Sequence, residues 1–168
     1  HPSGRGIALV ADNGRVEVAV VSLYLPSGLD NEVANSQRNT LATQLLEFAA
    51  VAVKDHTYFV IGGDLNETRR GTLDRRMGGV KPDRRLPGCS SNTSVIEAFL
   101  RGVGSRCADL FRSLRPEEQN FTHYQDSSTS ASRIDYLFVP GGVAPYSEQC
   151  PNPLWECEVM EKTQHSDH

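Results

Sequence analysis

Residues 60–68 read VIGGDLNET: a short apolar run and two glycines lead directly into Asp64, with Asn66 two positions further on. Extended back to residue 57, as TYFVIGGDLN, the segment is too apolar to leave one face in water. It reads as a buried strand whose glycines let another backbone come close at its end. Side chains two apart on an extended backbone point the same way. The strand is therefore expected to deliver Asp64 and Asn66 together where it turns into loop.

Outward from that strand, the pattern alternates between sheet and helix. Upstream, GIALVA (6–11) and RVEVAVVSLYLP (15–26) are rich in β-branched residues and flank Asp12-Asn-Gly, a strong hairpin signal, so residues 7–25 read as two adjacent antiparallel strands. Between Asn31 and Asp55, Leu41, Leu45, Phe48, Ala49 and Ala52 recur at spacings of three and four, which predicts a helix. Downstream, SVIEAFLRGVG (94–104) reads as a short helix stopped by glycine, and CADLFRSLRP (107–116) as another, ended by Pro116. NFTHYQ (120–125) and SRIDYLFVP (132–140) read as strands, and a last strand is expected within LWECEVMEK (154–162). Hairpins with intervening helices predict an α/β fold with a mixed sheet, not the regular alternation of a doubly wound one.

The 168 residues suffice for one domain, 1–168, with a real core. Their 38% hydrophobic and 23% charged content excludes a disordered chain. No apolar run approaches the ~20 residues that cross a bilayer, so a soluble, intracellular protein, nuclear or cytoplasmic, is expected. Cys89, Cys107, Cys150 and Cys157 form no CxxC pair and are expected to be reduced thiols. Triplets of the glycosylation type at Asn66, Asn92 and Asn120 matter only in a secreted chain. The net charge of −4 hides a basic segment: residues 69–85 hold seven Lys or Arg against two Asp (+5), which leaves −9 elsewhere. That segment, beginning with Arg69 and Arg70, is either a solvated loop or a contact for a polyanion.

The polar residues on this scaffold suggest one chemistry. Asp135, among Ile134, Leu137 and Phe138, would be a costly buried carboxylate without a partner. His168 is one candidate, since an Asp accepting an imidazole N–H fixes the tautomer and raises the ring's basicity; Arg133 is the other. Asp167 is a hard oxygen ligand of the kind Mg²⁺ or Mn²⁺ prefers. These are the parts of metal-assisted phosphate ester hydrolysis. Each has a plainer reading: Asp64 as a turn former, Asp135 as a structural carboxylate, His168 as a solvated tail, Tyr24 as a residue facing the core or a sheet surface. A zinc site from Cys150, Cys157, His165 and His168 lacks the usual close ligand spacing.

The order SLYLPSG, GDLN, SRIDYLF, SDH resembles the endonuclease/exonuclease/phosphatase superfamily, the fold of pancreatic DNase and the abasic-site endonucleases. TLDRR (72–76), ADLFRSLRP, NFTHYQ and SASRIDYLF are most similar to the endonuclease domains of LINE-type retrotransposons. The resemblance implies a four-layered α/β sandwich (DNase-like) with its site where strand ends converge. It also implies roles: Asp64 orients the attacking water, Asn66 contacts the scissile phosphate, and Tyr24 contacts the phosphate or assists the leaving group. Asp135 pairs with His168, Asp167 helps hold Mg²⁺ or Mn²⁺, and Thr122 supplies a hydroxyl near the site. Arg38 would anchor the helix beneath Tyr24.

Against the family pattern, the N-terminal part with the principal acidic metal ligand and the strand after SDH have no counterpart here, which makes the expected domain partial and the polypeptide alone weakly active or inactive. The Trp-Cys-Asp-Arg motif of inositol polyphosphate phosphatases is absent, and the basic segment suits DNA. A DNA endonuclease domain of a retroelement polyprotein, alongside a reverse transcriptase, is the leading expectation. A non-catalytic relic or nucleic-acid-binding module of the same fold, or another phosphoesterase of the superfamily, is the alternative. Base specificity is not legible, because phosphate contacts position without specifying.

Overall fold

The computed structural model describes residues 1–27, 32–69, 73–76, 94–103, 107–124 and 130–141, with the side chains of the first helix described from residue 36 onward. β1 (Gly6–Asp12) and β2 (Glu17–Tyr24) pair antiparallel from Gly6↔Leu23 to Asp12↔Glu17. The turn between them is built by short polar side chains. Asp12 Oδ1 accepts from Gly14 N at 2.7 Å, Asn13 Oδ1 accepts from the amides of Arg15 and Val16 at 3.0 Å, and Gly14 takes φ +79°. The Asp12-Asn-Gly signal thus fixes the hairpin as expected.

α1 (Glu32–Val53), free of glycine and proline, carries the chain across the sheet so that β3 (Tyr58–Asp64) lies parallel to β2. α2 (Val95–Val103) follows, and Ile96 and Phe99 join the same core. β8 (Asp135–Pro140) pairs antiparallel with both β3 and β5 (Cys107–Asp109), giving a five-stranded mixed sheet in the order β1-β2-β3-β8-β5. Short strands β4 (Arg75–Arg76), β6 (His123–Tyr124) and β7 (Ala131–Ser132) form a second sheet in the order β4-β7-β6. Among the described residues, no helix is long and apolar enough to cross a membrane.

The core lies between α1, α2 and one face of the large sheet. Ala19, Val21 and Leu23 of β2, Phe59 and Ile61 of β3, and Tyr136 and Phe138 of β8 meet Ala42, Leu45, Leu46, Ala49 and Val53 of α1. The helix is rotated slightly from its expected phase: Leu41, Phe48 and Ala52 are only partly buried. The small Ala42 and Ala49 let the helix approach the sheet closely, and the bulkier Phe48 sits at the margin with its ring 5.6 Å from that of His1.

Two segments differ from expectation. CADLFRSLRP, expected as one helix, divides into β5 and a single turn, α3 (Leu110–Leu114), because Cys107 and Ala108 pair with Pro140 and Val139 of β8. Asp109 then caps the helix, accepting from Arg112 N at 3.2 Å. SRIDYLFVP is likewise two strands, interrupted at Arg133 and Ile134, whose amides leave the ladder for Asp74 O (2.8 Å) and Thr122 Oγ1 (3.1 Å). The strand expected within residues 154–162 and three of the four cysteines, Cys89, Cys150 and Cys157, lie outside the described residues.

Candidate active site

The register of the sheet sets three of the expected site residues in one row. Tyr24 is the partner of Asp64 across β2 and β3, and Asp64 is the partner of Asp135 across β3 and β8. Directly opposed residues share a face. Leu23, Leu25, Leu65 and Tyr136 turn to the core, so the row projects from the opposite face, where Tyr24 is half exposed.

The tight approach of strands at this end depends on Gly63. Its φ of +137° is one that side chains rarely adopt, and a Cβ there would fall 1.9 Å from Leu23 O. Gly62 is nearly as confined, since its Cβ would meet Leu137 Cδ2 at 2.8 Å. Gly63 thus makes the backbone approach that the sequence suggested, while Gly62 makes room for the Leu137 side chain.

Asn66 reaches the site differently from expectation. The strand ends at Asp64, and Asn66 takes φ +49°, a left-handed conformation that Asn tolerates better than most residues. Its N–H donates to Asp64 Oδ1 at 2.8 Å, and its Nδ2 donates to Leu25 O at 2.9 Å. A tight turn, not an extended backbone, thus sets Asn66 beside Asp64. Arg38 of α1 braces both loops: its Nε donates to Pro26 O at 3.0 Å, Nη2 donates to Asn66 O at 3.3 Å, and Nη2 lies 3.6 Å from the Glu67 carboxylate.

Thr122 holds backbone here. Its Oγ1 accepts from both Ile134 N and Asp135 N at 3.1 Å, which fixes the start of β8 and the height of Asp135 in the row.

Beneath this end of the sheet lies a buried charge cluster. Arg133, 1% exposed, donates from Nε to Asp74 Oδ1 at 2.9 Å and from Nη2 to Asp109 Oδ2 at 2.7 Å. Arg112 also pairs with Asp74, so two guanidinium groups and two carboxylates neutralise one another in the interior. The Arg133 carbon Cζ stands 4.3 Å from the Tyr136 ring centroid. Burial alone would lower the pKa of Arg133, but its bonds to Asp109 and Asp74 raise it overall. Arg133 is thus committed to Asp74 and Asp109 and is not the partner of Asp135 that the sequence left open. Burial raises the Tyr136 phenol above its ordinary range; its hydroxyl donates to Glu67 O at 3.0 Å and accepts from Arg69 N at 2.9 Å.

Arg69, expected to meet phosphate, is engaged elsewhere. Its Nε pairs with Glu97 and its Nη1 lies 3.6 Å from Asp109, where it lines a cavity of about 420 Å³ with Cys107 and Arg112. Two carboxylates close by outcompete solvent for the guanidinium. Burial, with Asp109 adding to it, pushes the Cys107 thiol up to about 12. Arg70, Asp167 and His168 lie outside the described residues.

The described residues contain no group of three or more His, Cys, Asp or Glu placed to hold a metal ion. Asp64 and Asp135, opposed across β3 and β8, nonetheless offer hard oxygen donors. Mg²⁺ commonly takes one or two carboxylates and fills its shell with water and phosphate oxygens, which this pair fits.

No protein-family model matches the sequence, nor does any curated protein match it significantly. Solved structures do. The catalytic domain of APE2 from Xenopus laevis superposes with a TM-score of 0.60 at 20% identity, over 83% of this chain and 47% of that one. The 3′ phosphatase NExo from Neisseria, bound to a product DNA hairpin, superposes with a TM-score of 0.56 at 20% identity, over 83% of this chain and 53% of that one. The chain therefore spans about half the length of each, and its central mixed sheet with flanking helices has the endonuclease/exonuclease/phosphatase (DNase-like) fold.

Proposed function

We propose that this chain serves metal-assisted hydrolysis of phosphodiester bonds in DNA, as part of an endonuclease domain. The observation that carries the reading is the row Tyr24, Asp64, Asp135 at one end of the sheet, on a fold shared with the catalytic domain of APE2 and with a 3′ phosphatase bound to DNA. Rigid strand ends hold reacting groups more accurately than free loops do.

In this reading Asp64, fixed by the Asn66 N–H, orients the attacking water, and Asn66 and Tyr24 meet the scissile phosphate. Asp135, set by Thr122, orients His168. Asp64, Asp135 and Asp167 are the residues that would hold Mg²⁺ or Mn²⁺, whose chemistry is to neutralise charge developing on the phosphate. A retroelement parent with a reverse transcriptase, and an intracellular setting, complete the proposal; they rest on the LINE-like sequence motifs.

The test is nicking of supercoiled plasmid with Mg²⁺ or Mn²⁺ against a chelator control. This polypeptide alone is expected to nick weakly or not at all, and a version extended in the parent reading frame to nick in a metal-dependent way. Asp64→Ala in the extended version should reduce the rate by at least ~100-fold. Nicking that survives Asp64→Ala would sink the assignment. DNA binding that is indifferent to metal and never accompanied by nicking would make the protein a binding module.

A further inference from the structure

The row does not end at Tyr24. The hairpin register continues one step beyond Gly6↔Leu23, with Tyr24 N donating to Arg5 O at 2.8 Å, so Arg5 stands opposite Tyr24 at the mouth of β1. Across the sheet end the order is Arg5, Tyr24, Asp64, Asp135. The Arg5 guanidinium carbon lies 4.8 Å from the Tyr24 ring centroid, so the cation shares the face of the candidate catalytic groups.

Arg5 is half-buried, and its Nη1 is shut off from solvent with no hydrogen-bond partner among the described residues. A buried charged donor left unmatched is costly. Arg38 in the loops, Arg69 at Glu97, Arg133 at Asp74 and Asp109, and Arg112 at Asp74 each have an acceptor, although Arg112 Nε is also without one among the described residues. With neighbouring strands ~4.8 Å apart, the Arg5 backbone stands roughly 10 Å from that of Asp64.

We propose that Arg5 is a substrate-positioning residue that donates to a backbone phosphate of the DNA strand lying along this row. The planar guanidinium donates in pairs to phosphate oxygens, and Tyr24 beneath it fixes its plane. Arg5 supplies at one end of the row the positive charge that the acidic Asp64 and Asp135 at the other end would otherwise deny to a polyanion. This inference rests on the DNA reading above and adds to it a residue outside the recognised motifs.

The test uses this chain as it stands, by fluorescence anisotropy with a labelled short DNA duplex and the corresponding single strand, in chelator, across a salt series. Arg5→Met is expected to weaken binding on the order of tenfold at ~0.1 M salt and to lower the slope of log affinity against log salt by about one. Arg5→Lys should keep the slope and recover only part of the affinity. Arg15→Met, at the hairpin turn and the far end of the same strands, should change neither beyond about twofold. Melting temperatures of the variants within a few degrees of the parent separate lost binding from lost fold. Binding unaltered by Arg5→Met, or weakened equally by Arg15→Met, overturns the inference and leaves the DNA reading standing. A parent chain that binds neither DNA overturns both.

Discussion

Arg133 shows how far one side chain can reach into a site it does not line. It is two residues from Asp135, yet its guanidinium turns inward to Asp74 and Asp109, and its N–H holds Asp74 O at 2.8 Å. Removing it would leave two buried carboxylates under-compensated, Asp74 with Arg112 and Asp109 with Arg69 3.6 Å away. Arg133→Met is expected to cost about 3–5 kcal/mol in urea unfolding, and Arg133→Lys to recover little, because one ammonium cannot fork between both. Gly63→Ala should cost at least ~3 kcal/mol by the same measurement, because the new Cβ has nowhere to go but into Leu23 O. Cys107 gives a pH signature. Its folded-state pKa is raised from 9.0 to about 12, so its contribution is fully present below pH ~9 and is lost as pH climbs toward ~12, by up to ~1.4 kcal/mol per unit. Alkylation of Cys107 at pH 8 should be far slower in the folded than in the urea-unfolded chain; equal rates would show the thiol to be accessible. At this scale the sequence was informative where chemistry and backbone coincide. The glycines before Asp64 were legible as a close backbone approach, which Gly63 makes against Leu23 O. Arg133 was not, since its partners lie 59 and 24 positions away and no local pattern pairs them.

Elements were legible in proportion to their length and to how local their bonds are. The hairpin and α1 emerged from turn chemistry and period alone, whereas α1's rotation required knowledge of which small residues face the sheet. CADLFRSLRP misled because an apolar stretch this short fits either period, and pairing with β8 decided between them. Counting back along the hairpin from its turn would have placed Arg5 against Tyr24, a signal present in the sequence but not used. One hydroxyl satisfies two amides at the start of β8, since Thr122 Oγ1 accepts from Ile134 N and Asp135 N. Thr122→Val, close in shape, should destabilise by about 1–3 kcal/mol and speed hydrogen exchange at those two amides more than at the later amides of β8. Thr122→Ser should preserve both. Uniform loss of protection along the strand would instead point to general loosening.

At the scale of the molecule, the face of the large sheet away from α1 stands open over β1 to β3, where Ile7 is 62%, Leu9 51% and Tyr58 52% exposed. This chain should therefore bind a hydrophobic dye while folded. Ile7→Thr with Leu9→Thr should reduce the dye signal severalfold with melting shifted only slightly, because side chains already in water lose little on replacement. The overall fold was legible because SLYLP, GDLN and SRIDYLF, in fixed order, mark strand ends that meet side by side in the sheet. The completed site was less so, with Arg70, Asp167 and His168 lying beyond the described residues. The order of strands has one more consequence. β1 and β2 are neighbours in the chain, but the partner that seats Asp135 beside Asp64 arrives 71 residues later, in an antiparallel pairing that local contacts cannot nucleate. Refolding followed by pulse-labelled exchange should protect the hairpin well before the final central strand. On the ribosome the row of Tyr24, Asp64 and Asp135 would then come together only after most of the chain has been made, so that a half-made polypeptide lacks it.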